Sequence, residues 1–515
     1  MVYCTTVSTL RIWWSREPQV KEKIIRSCGK QSSTMQDSNI LIYAIYLVVY
    51  ILIMMGIGLY YATKSKSIDD YLVAGRSQGF WAITGSIVAT TCGAAAFIGF
   101  VGLGYSSGIS GIFFWIIPAV FFGLILATFF SHVLWKAGLY TFADAFALRF
   151  GKNAALVPTI IQTFLYAIPL LAIQFIGIGT IFATFFGINM QIGIIFGFLV
   201  VLVYMLFGGM RAVISTDVIQ SVILTIALFL LFGLGLHYAG GIETVVRNTP
   251  AEYWNPLGKS SISDFLYLAL TIGPFYLVWQ SWWQRIFAAK DEAIARKGLV
   301  SGLLIAGFIL CFSFLIGIIA RGYLPQDLRP DLVFTESIFT VFSPAVGGFI
   351  LIGLAAALMS GADSYIMSGA ATVTRNIYQQ YLHPDATDRQ MLKASRLSVL
   401  LISVIGLVSA LFAKGIIPFL ILFTKIVGAG LVFPFLALMF WRGATRKGVT
   451  AGMITGVLVT VGWNIAGNPF VIQAVPGYLS SLVAIIVVSL LTSHAADEQV
   501  EALYLKLTNS KEHIK

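Results

Sequence analysis

Charge is scarce in this 515-residue chain, and cysteine and histidine are scarcer still. Asp, Glu, Lys and Arg make up only 11% of it, beside four cysteines and five histidines. Cys4 and Cys28 lie near the start, while Cys92 and Cys311 fall in separate apolar runs, so no spacing supports a disulfide framework or a metal site. The histidines (His132, His237, His383, His494 and His513) are scattered. There is no phosphate-binding Walker loop and no nucleophile elbow, and the glycine run from Gly102 to Gly111 reads as packing at a helix end. An enzyme therefore has no convergent catalytic groups to work with. Polar surface is short as well. At 58% hydrophobic residues and a mean hydropathy of +0.88, a soluble protein of this size would lack the polar side chains to face water.

What the chain has instead is a series of about thirteen apolar stretches between 40 and 494. They are predicted near 40–62, 80–104, 112–135, 154–185, 190–208, 216–239, 264–288, 298–320, 346–378, 396–413, 417–440, 449–468 and 478–494. Each is about as long as the roughly 20 helical residues that cross a hydrocarbon core. The expected class is an all-α polytopic membrane protein in a lipid bilayer.

The formal charge of +11 invites a nucleic-acid reading, but its distribution opposes one. Basic residues gather in alternate loops: Lys64, Lys66 and Arg76; Lys136, Arg149 and Lys152; Arg211; Arg285, Lys290, Arg296 and Lys297; Arg375, Arg389, Lys393 and Arg396; then Arg442, Arg446 and Lys447. The intervening loops hold only Arg247, Lys259, Arg321, Arg329 and Lys414. Under the positive-inside rule this places the N-terminus outside and the C-terminus in the cytoplasm of a plasma or inner-membrane protein. The extension 1–38 opposes that orientation, since Arg11, Arg16, Lys21, Lys23, Arg26 and Lys30 would have to be translocated. Met35 is the expected start. The divisions expected after it are a first span with its loop (39–78), two halves (79–240 and 264–441) separated by an outer loop (241–263), two peripheral spans (442–494) and a tail (495–515). In the second long outer loop, 332–341 is expected to form a short helix.

Two spans look broken in the middle. The second carries Ala89-Thr90-Thr91-Cys92-Gly93-Ala94-Ala95-Ala96, and the seventh carries Thr271-Ile272-Gly273-Pro274, where proline lacks a donor and clashes with the preceding turn. They stand five spans apart and so run in opposite directions. Interrupted helices at corresponding places in two halves are the sequence pointer to a transporter built from inverted repeats. Unwound backbone frees carbonyls for a cation and donors for a solute, so Thr90, Thr91, Gly93, Thr271, Gly273 and Pro274 are expected to line the solute site. In the ninth span, Ala357, Ser360, Gly361, Ser364 and Ser368 fall on one helical face with Asp363 beside it. An aspartate costs roughly 2.5–3.5 kcal/mol at a bilayer centre, so this face looks at protein or water. Packing of small residues between helices is the plainer reading of the same stripe.

Four ordered motifs carry a family resemblance. They are Asp70-Tyr-Leu-Val-Ala-Gly-Arg-Ser77, Gly208-Gly-Met-Arg-Ala-Val-Ile-Ser-Thr-Asp-Val-Ile-Gln220, Gln280-Ser-Trp-Trp-Gln-Arg-Ile-Phe-Ala-Ala-Lys290, and Leu358-Met-Ser-Gly-Ala-Asp-Ser364 with Thr374-Arg-Asn-Ile-Tyr378. Over about 40–494 the chain resembles the sodium:solute symporters, which include bacterial sodium/proline and sodium/galactose cotransporters. The resemblance implies a five-plus-five inverted-repeat, LeuT-like core and alternating-access symport of a small organic solute, with no obligate protein partner. It places sodium on the carbonyls of Ala89, Cys92 and Ala357 and on the Ser360 hydroxyl. Gly361 departs from the pattern, since sodium-dependent members usually place a second Ser or Thr there. Thr91 also stands where the proline cotransporter has aspartate.

Several readings stay open at this stage. Asp217 matches an aspartate that some members use for a second sodium, near Asp363 and Ser364, but Asp217 and Gln220 also have capping-box spacing. Asp363 could hold sodium or carry a proton, which keeps proton coupling as an alternative. Lys425, in the eleventh span, could hold the carboxylate of an amino acid or monocarboxylate, pair with an acid, or snorkel outward. Trp279, Trp282 and Trp283 could gate a solute or sit at the membrane interface, with Arg285 marking that boundary. Arg211 is expected to be an anchor at the inner face. A channel is a rival class. A transporter-like sensor is another, although 495–515 is too short for the signalling kinase that some family members carry.

Overall fold

A computed structural model of the protein describes residues 40–492, except 62, 66, 414 and 468–473. The expectations about 1–38, the start at Met35 and the tail 495–515 lie outside the described residues. Among those residues the chain is helical, and its one β feature is an isolated parallel bridge between Gln78 and Ala289.

The helices follow in this order. Helix α1 is Ile40–Tyr61. The short α2 (Ile68–Val73) leads to α3 (Phe80–Thr91) and α4 (Ala95–Ser107), then to α5 (Ile112–Lys136) and α6 (Phe142–Phe150). Next come α7 (Lys152–Phe186), α8 (Met190–Tyr238), α9 (Gly241–Asn248), α10 (Ile262–Ile272) and α11 (Gln280–Ala288). The remainder are α12 (Glu292–Ala320), α13 (Val333–Val341), α14 (Pro344–Leu382), α15 (Asp388–Phe412), α16 (Ile416–Phe440), α17 (Arg446–Ile465) and α18 (Val475–Leu491). Helix α13 is the short helix expected in the second outer loop. Among the described residues, nine helices are long and apolar enough to cross a membrane, or ten if α3 and α4 form one span.

The difference from about thirteen has identifiable sources. The stretches predicted at 190–208 and 216–239 are one helical run, the 49-residue α8. At 1.5 Å per residue that is roughly 74 Å, more than twice a hydrocarbon core. It is broken at Gly209, whose φ of 62° and ψ of −169° are not helical. Glycine is required there twice over. The left-handed φ disfavours other residues, and a β-carbon would lie 2.7 Å from the Tyr71 ring. Two further predicted spans are too short as single helices: the seventh is split into α10 and α11, and α18 has only 17 residues.

The two expected breaks are present. Helices α3 and α4 meet at 53°. Cys92, with φ −93° and ψ 52°, ends α3, and small residues leave the bend room. Between α10 and α11, Gly273–Val278 forms a 3₁₀ turn with Pro274 in its first turn, and Trp279 is extended. Irregular backbone is tolerated at membrane depth only where protein or a cavity satisfies it. All six residues of that 3₁₀ turn are buried.

The family motifs meet at the basic end of the bundle. Asp70 pairs with Arg211 at 2.7 Å, and a β-carbon on Gly75 would lie 2.5 Å from that guanidinium. Arg76 donates to the carbonyls of Gly138 (2.8 Å) and Leu139 (3.0 Å). Gln78 N–H donates to Ala288 O and Lys290 N–H to Gln78 O, both at 3.0 Å, which joins the start of α3 to the end of α11 through main chain alone. Thr141 caps α6, and Asp144 accepts from Asn376 at 2.6 Å, tying that cap to the end of α14. Burial raises the carboxyl pKa of Asp144, and Arg375 nearby opposes the shift. At the opposite end a cavity of about 590 Å³ lies among Ser106, Ser110, Trp115, Tyr253 and Lys259.

Candidate functional site

The break between α3 and α4 faces the middle of α14. Ala357, Ser360, Asp363, Ser364 and Ser368 are all fully buried there, so the small-residue face looks at protein and not at lipid. Three contacts fix the juxtaposition. Thr90 Oγ1 and Ser364 Oγ are 2.9 Å apart. Ser86 and Ser360 each donate to the same carboxylate, that of Asp217, at 2.5 Å. Gly93 and Gly361 flank one amide, that of Gln174 on α7. Ala89, Cys92 and Ala357 are buried with them. Ser360 directs its proton to Asp217, leaving its oxygen lone pairs available to a cation.

The Asp217 environment differs from the N-cap expectation. Asp217 is no N-cap: it lies inside α8, fully buried. Its Oδ2 accepts from Ser86 and, at 3.0 Å, from the Arg285 guanidinium, while Oδ1 accepts from Ser360. Arg285 Nη2 also donates to Ser364 at 2.6 Å, and Nε to Ser86 at 2.9 Å. Arg285 therefore does not mark the membrane boundary. It is an internal cation placed against the carboxylate and hydroxyls expected to receive a second ion. Asp363 is separate from this cluster: Tyr204 donates to its Oδ1, and its Oδ2 has no hydrogen-bond partner among the described residues.

The second break supplies an aromatic wall. Trp279, Trp282 and Trp283 are buried rather than interfacial. Trp279 and Trp282 stack at 4.9 Å and 14°, and Tyr276 stacks on Trp282 at 5.4 Å. Trp282 Nε1 donates to Thr91 Oγ1 at 3.2 Å, joining this wall to the α3 break. Gly273 packs against Phe122 and Pro118. The Thr271 carbonyl accepts from Tyr478 at 2.8 Å. Tyr478 and Phe275 border Gly428, one turn beyond Lys425 on α16. Lys425 is only 6% exposed, and it has neither an acidic partner nor a hydrogen bond among the described residues.

The expected solute residues therefore divide into two groups. Thr90 and Gly93 face α14 and Gln174, whereas Thr91, Thr271, Gly273 and Pro274 border the aromatic side. Ser86, Gln174, Tyr204 and Arg285 were absent from the expected site. An amide at 174 and a tyrosine at 204 inside otherwise apolar spans were the available signals.

A family model described as the sodium:solute symporter family matches residues 71–456. The sodium/glucose cotransporter of Vibrio parahaemolyticus is 27% identical over 504 residues, covering 89% of this chain and 91% of its own. The osmoregulated proline transporter OpuE of Bacillus subtilis (strain 168) is 27% identical over 483 residues, covering 88% and 95%. Among solved structures, a Na+-coupled sialic acid symporter matches with a TM-score of 0.79 at 20% identity, covering 88% of this chain and 98% of its own. Mhp1, a nucleobase-cation-symport-1 family transporter, matches at 0.59 and 16%, covering 86% and 99%. At such identities the structures speak to the fold, an all-helical LeuT-like transporter. The curated relatives are transporters and not enzymes, and with three-quarters of its length under the family model, this chain belongs to the sodium:solute symporter family of secondary active transporters.

Proposed function

We propose that the protein imports a small organic solute bearing a carboxylate, an amino acid or a monocarboxylate, together with one sodium ion by alternating access. The observation that carries this reading is the α3–α4 break held against the buried face of α14. Sodium takes oxygen ligands without formal charge from the carbonyls of Ala89, Cys92 and Ala357 and the hydroxyl of Ser360. The solute lies against the aromatic wall beside Thr91 and the Gly273-Pro274 turn, with Lys425 holding its carboxylate. The basic end is cytoplasmic, in a plasma or inner membrane. Thirteen spans result when α8 counts twice about Gly209 and when α3 with α4, α10 with α11, and α18 each count once. The two halves then form the inverted repeat.

Arg285 sets the stoichiometry. It supplies at Asp217 the positive charge that a second ion would bring, leaving one sodium per cycle. One charge moving down 100 mV releases about 2.3 kcal/mol, and a tenfold gradient adds about 1.4. Together they support roughly 400-fold accumulation of a zwitterion. A monocarboxylate carried with one sodium moves no net charge and draws on the concentration gradient alone.

Uptake and current in proteoliposomes, measured with a panel of amino acids, monocarboxylates and sugars in sodium and in choline, test the whole scheme. The expected result is sodium-dependent accumulation, with current for zwitterions and none for monocarboxylates. A channel would not concentrate any of them. The second reading, proton coupling, is favoured by the unpartnered Oδ2 of Asp363. It predicts uptake indifferent to sodium and rising with acidity.

A further inference from the structure

Gly361 lacks the hydroxyl that would complete a sodium shell, and the space next to it is taken. A β-carbon at 361 would lie 2.7 Å from Gln174 Cδ and 2.8 Å from its Oε1. A β-carbon at Gly93 would lie 3.0 Å from the same Oε1. One buried amide oxygen thus stands between the unwound residue of the first break and the glycine of α14. Oε1 accepts from Ala94 N–H at 2.9 Å, replacing the carbonyl of Thr90 that this N–H would meet in an unbroken helix. The amide nitrogen donates to the Leu170 carbonyl at 3.5 Å and also borders Gly93, 3.2 Å from a β-carbon there, whereas the oxygen is the amide atom next to Gly361. A carbonyl oxygen has two lone pairs, and Ala94 uses one.

We infer that Gln174 is a specificity-determining residue of the ion site: its Oε1 is the side-chain oxygen that Gly361 does not provide, and Gly361 is glycine because Gln174 fills that volume. The ligand is a hard monovalent cation, and the inference rests on the sodium reading above. The exchange is reciprocal in chemistry and in space. A hydroxyl at 361 would supply the oxygen from α14, while this chain supplies it from α7, next to two glycines. The same oxygen also holds the α3–α4 bend open by satisfying Ala94, so ion binding and helix shape share one side chain.

The test uses the full-length protein in detergent and in proteoliposomes, titrated with NaCl against choline chloride. Intrinsic tryptophan fluorescence reads binding without transport, since Trp282 touches Thr91 beside the break. Gln174→Met keeps volume but removes the oxygen, and it is expected to raise the half-saturating sodium concentration roughly tenfold, the scale seen when one metal-site partner is lost. Gln174→Glu keeps the oxygen and is expected to retain or tighten sodium binding. Gly361→Ser, overpacked against Gln174, is expected to weaken binding, and Gln174→Ala with Gly361→Ser to recover most of it. An unchanged sodium midpoint in Gln174→Met, or a double variant no better than Gly361→Ser, overturns the assignment. Were the wild type itself unresponsive to sodium, the sodium reading would fall first, and the double-variant comparison in melting temperature would still decide whether Gln174 and Gly361 are complementary.

Discussion

Replacing Arg285 by methionine is expected to destabilise the protein by about 3–5 kcal/mol, because it leaves the Asp217 carboxylate buried without a cation. Ser86 and Ser360 still donate to that carboxylate, but neither neutralises it. Thermal unfolding in detergent measures the loss. The double variant Arg285→Met with Asp217→Asn removes both charges and is expected to regain most of it, as buried pairs replaced together usually do. The single variant also exposes a cradle of one carboxylate and the hydroxyls of Ser86, Ser360 and Ser364. Sodium is then expected to stabilise Arg285→Met more than it stabilises the wild type, with choline inert. Equal melting temperatures of single variant and wild type in choline would remove Arg285 from its assigned role as resident cation.

The second large effect is expected at Lys425. Hydrogen bonds to charged groups are worth about 1.5–3 kcal/mol, so Lys425→Ala should raise the apparent KM for a carboxylate solute roughly 10- to 100-fold. Stability should move the other way. A lysine only 6% exposed and without an acidic partner among the described residues is costly to fold around, and removing it should raise the melting temperature, the exchange of activity for stability common at functional sites. A loss of solute affinity joined to a gain in stability distinguishes a binding lysine from a packing one. An unchanged KM would discard the role.

Much of this was legible in the sequence because glycine, proline and small polar residues advertise irregular backbone. The breaks at 89–96 and 271–274, the buried stripe on α14 and the short α13 all followed from local chemistry. What stayed hidden depends on partners distant in the chain. Arg285 looked like a boundary marker because a basic residue after tryptophans near a span end usually is one. Its carboxylate lies 68 residues earlier and becomes its partner only in the folded bundle. Asp217 and Gln220 have the spacing of a helix start, yet they sit mid-helix, since the break at Gly209 begins the second half of α8 well before them. Gln174 gave only a lone amide in an apolar run. Its position between two glycines on different helices is a property of packing that no periodicity encodes.

The clasp between Gln78 and Ala289 has a consequence for observing the transport cycle. Its two hydrogen bonds use only main-chain groups, so side-chain drift leaves the joint intact, and the joint itself carries a measurable label. The amides of Gln78 and Lys290 are held while the basic ends of the two broken helices stay together, and they are released when those ends part. Hydrogen–deuterium exchange at these two amides should therefore quicken when the population shifts toward the form open at the basic end. Two protons on an unmodified backbone would then report which way the carrier faces, with no probe attached and no residue changed.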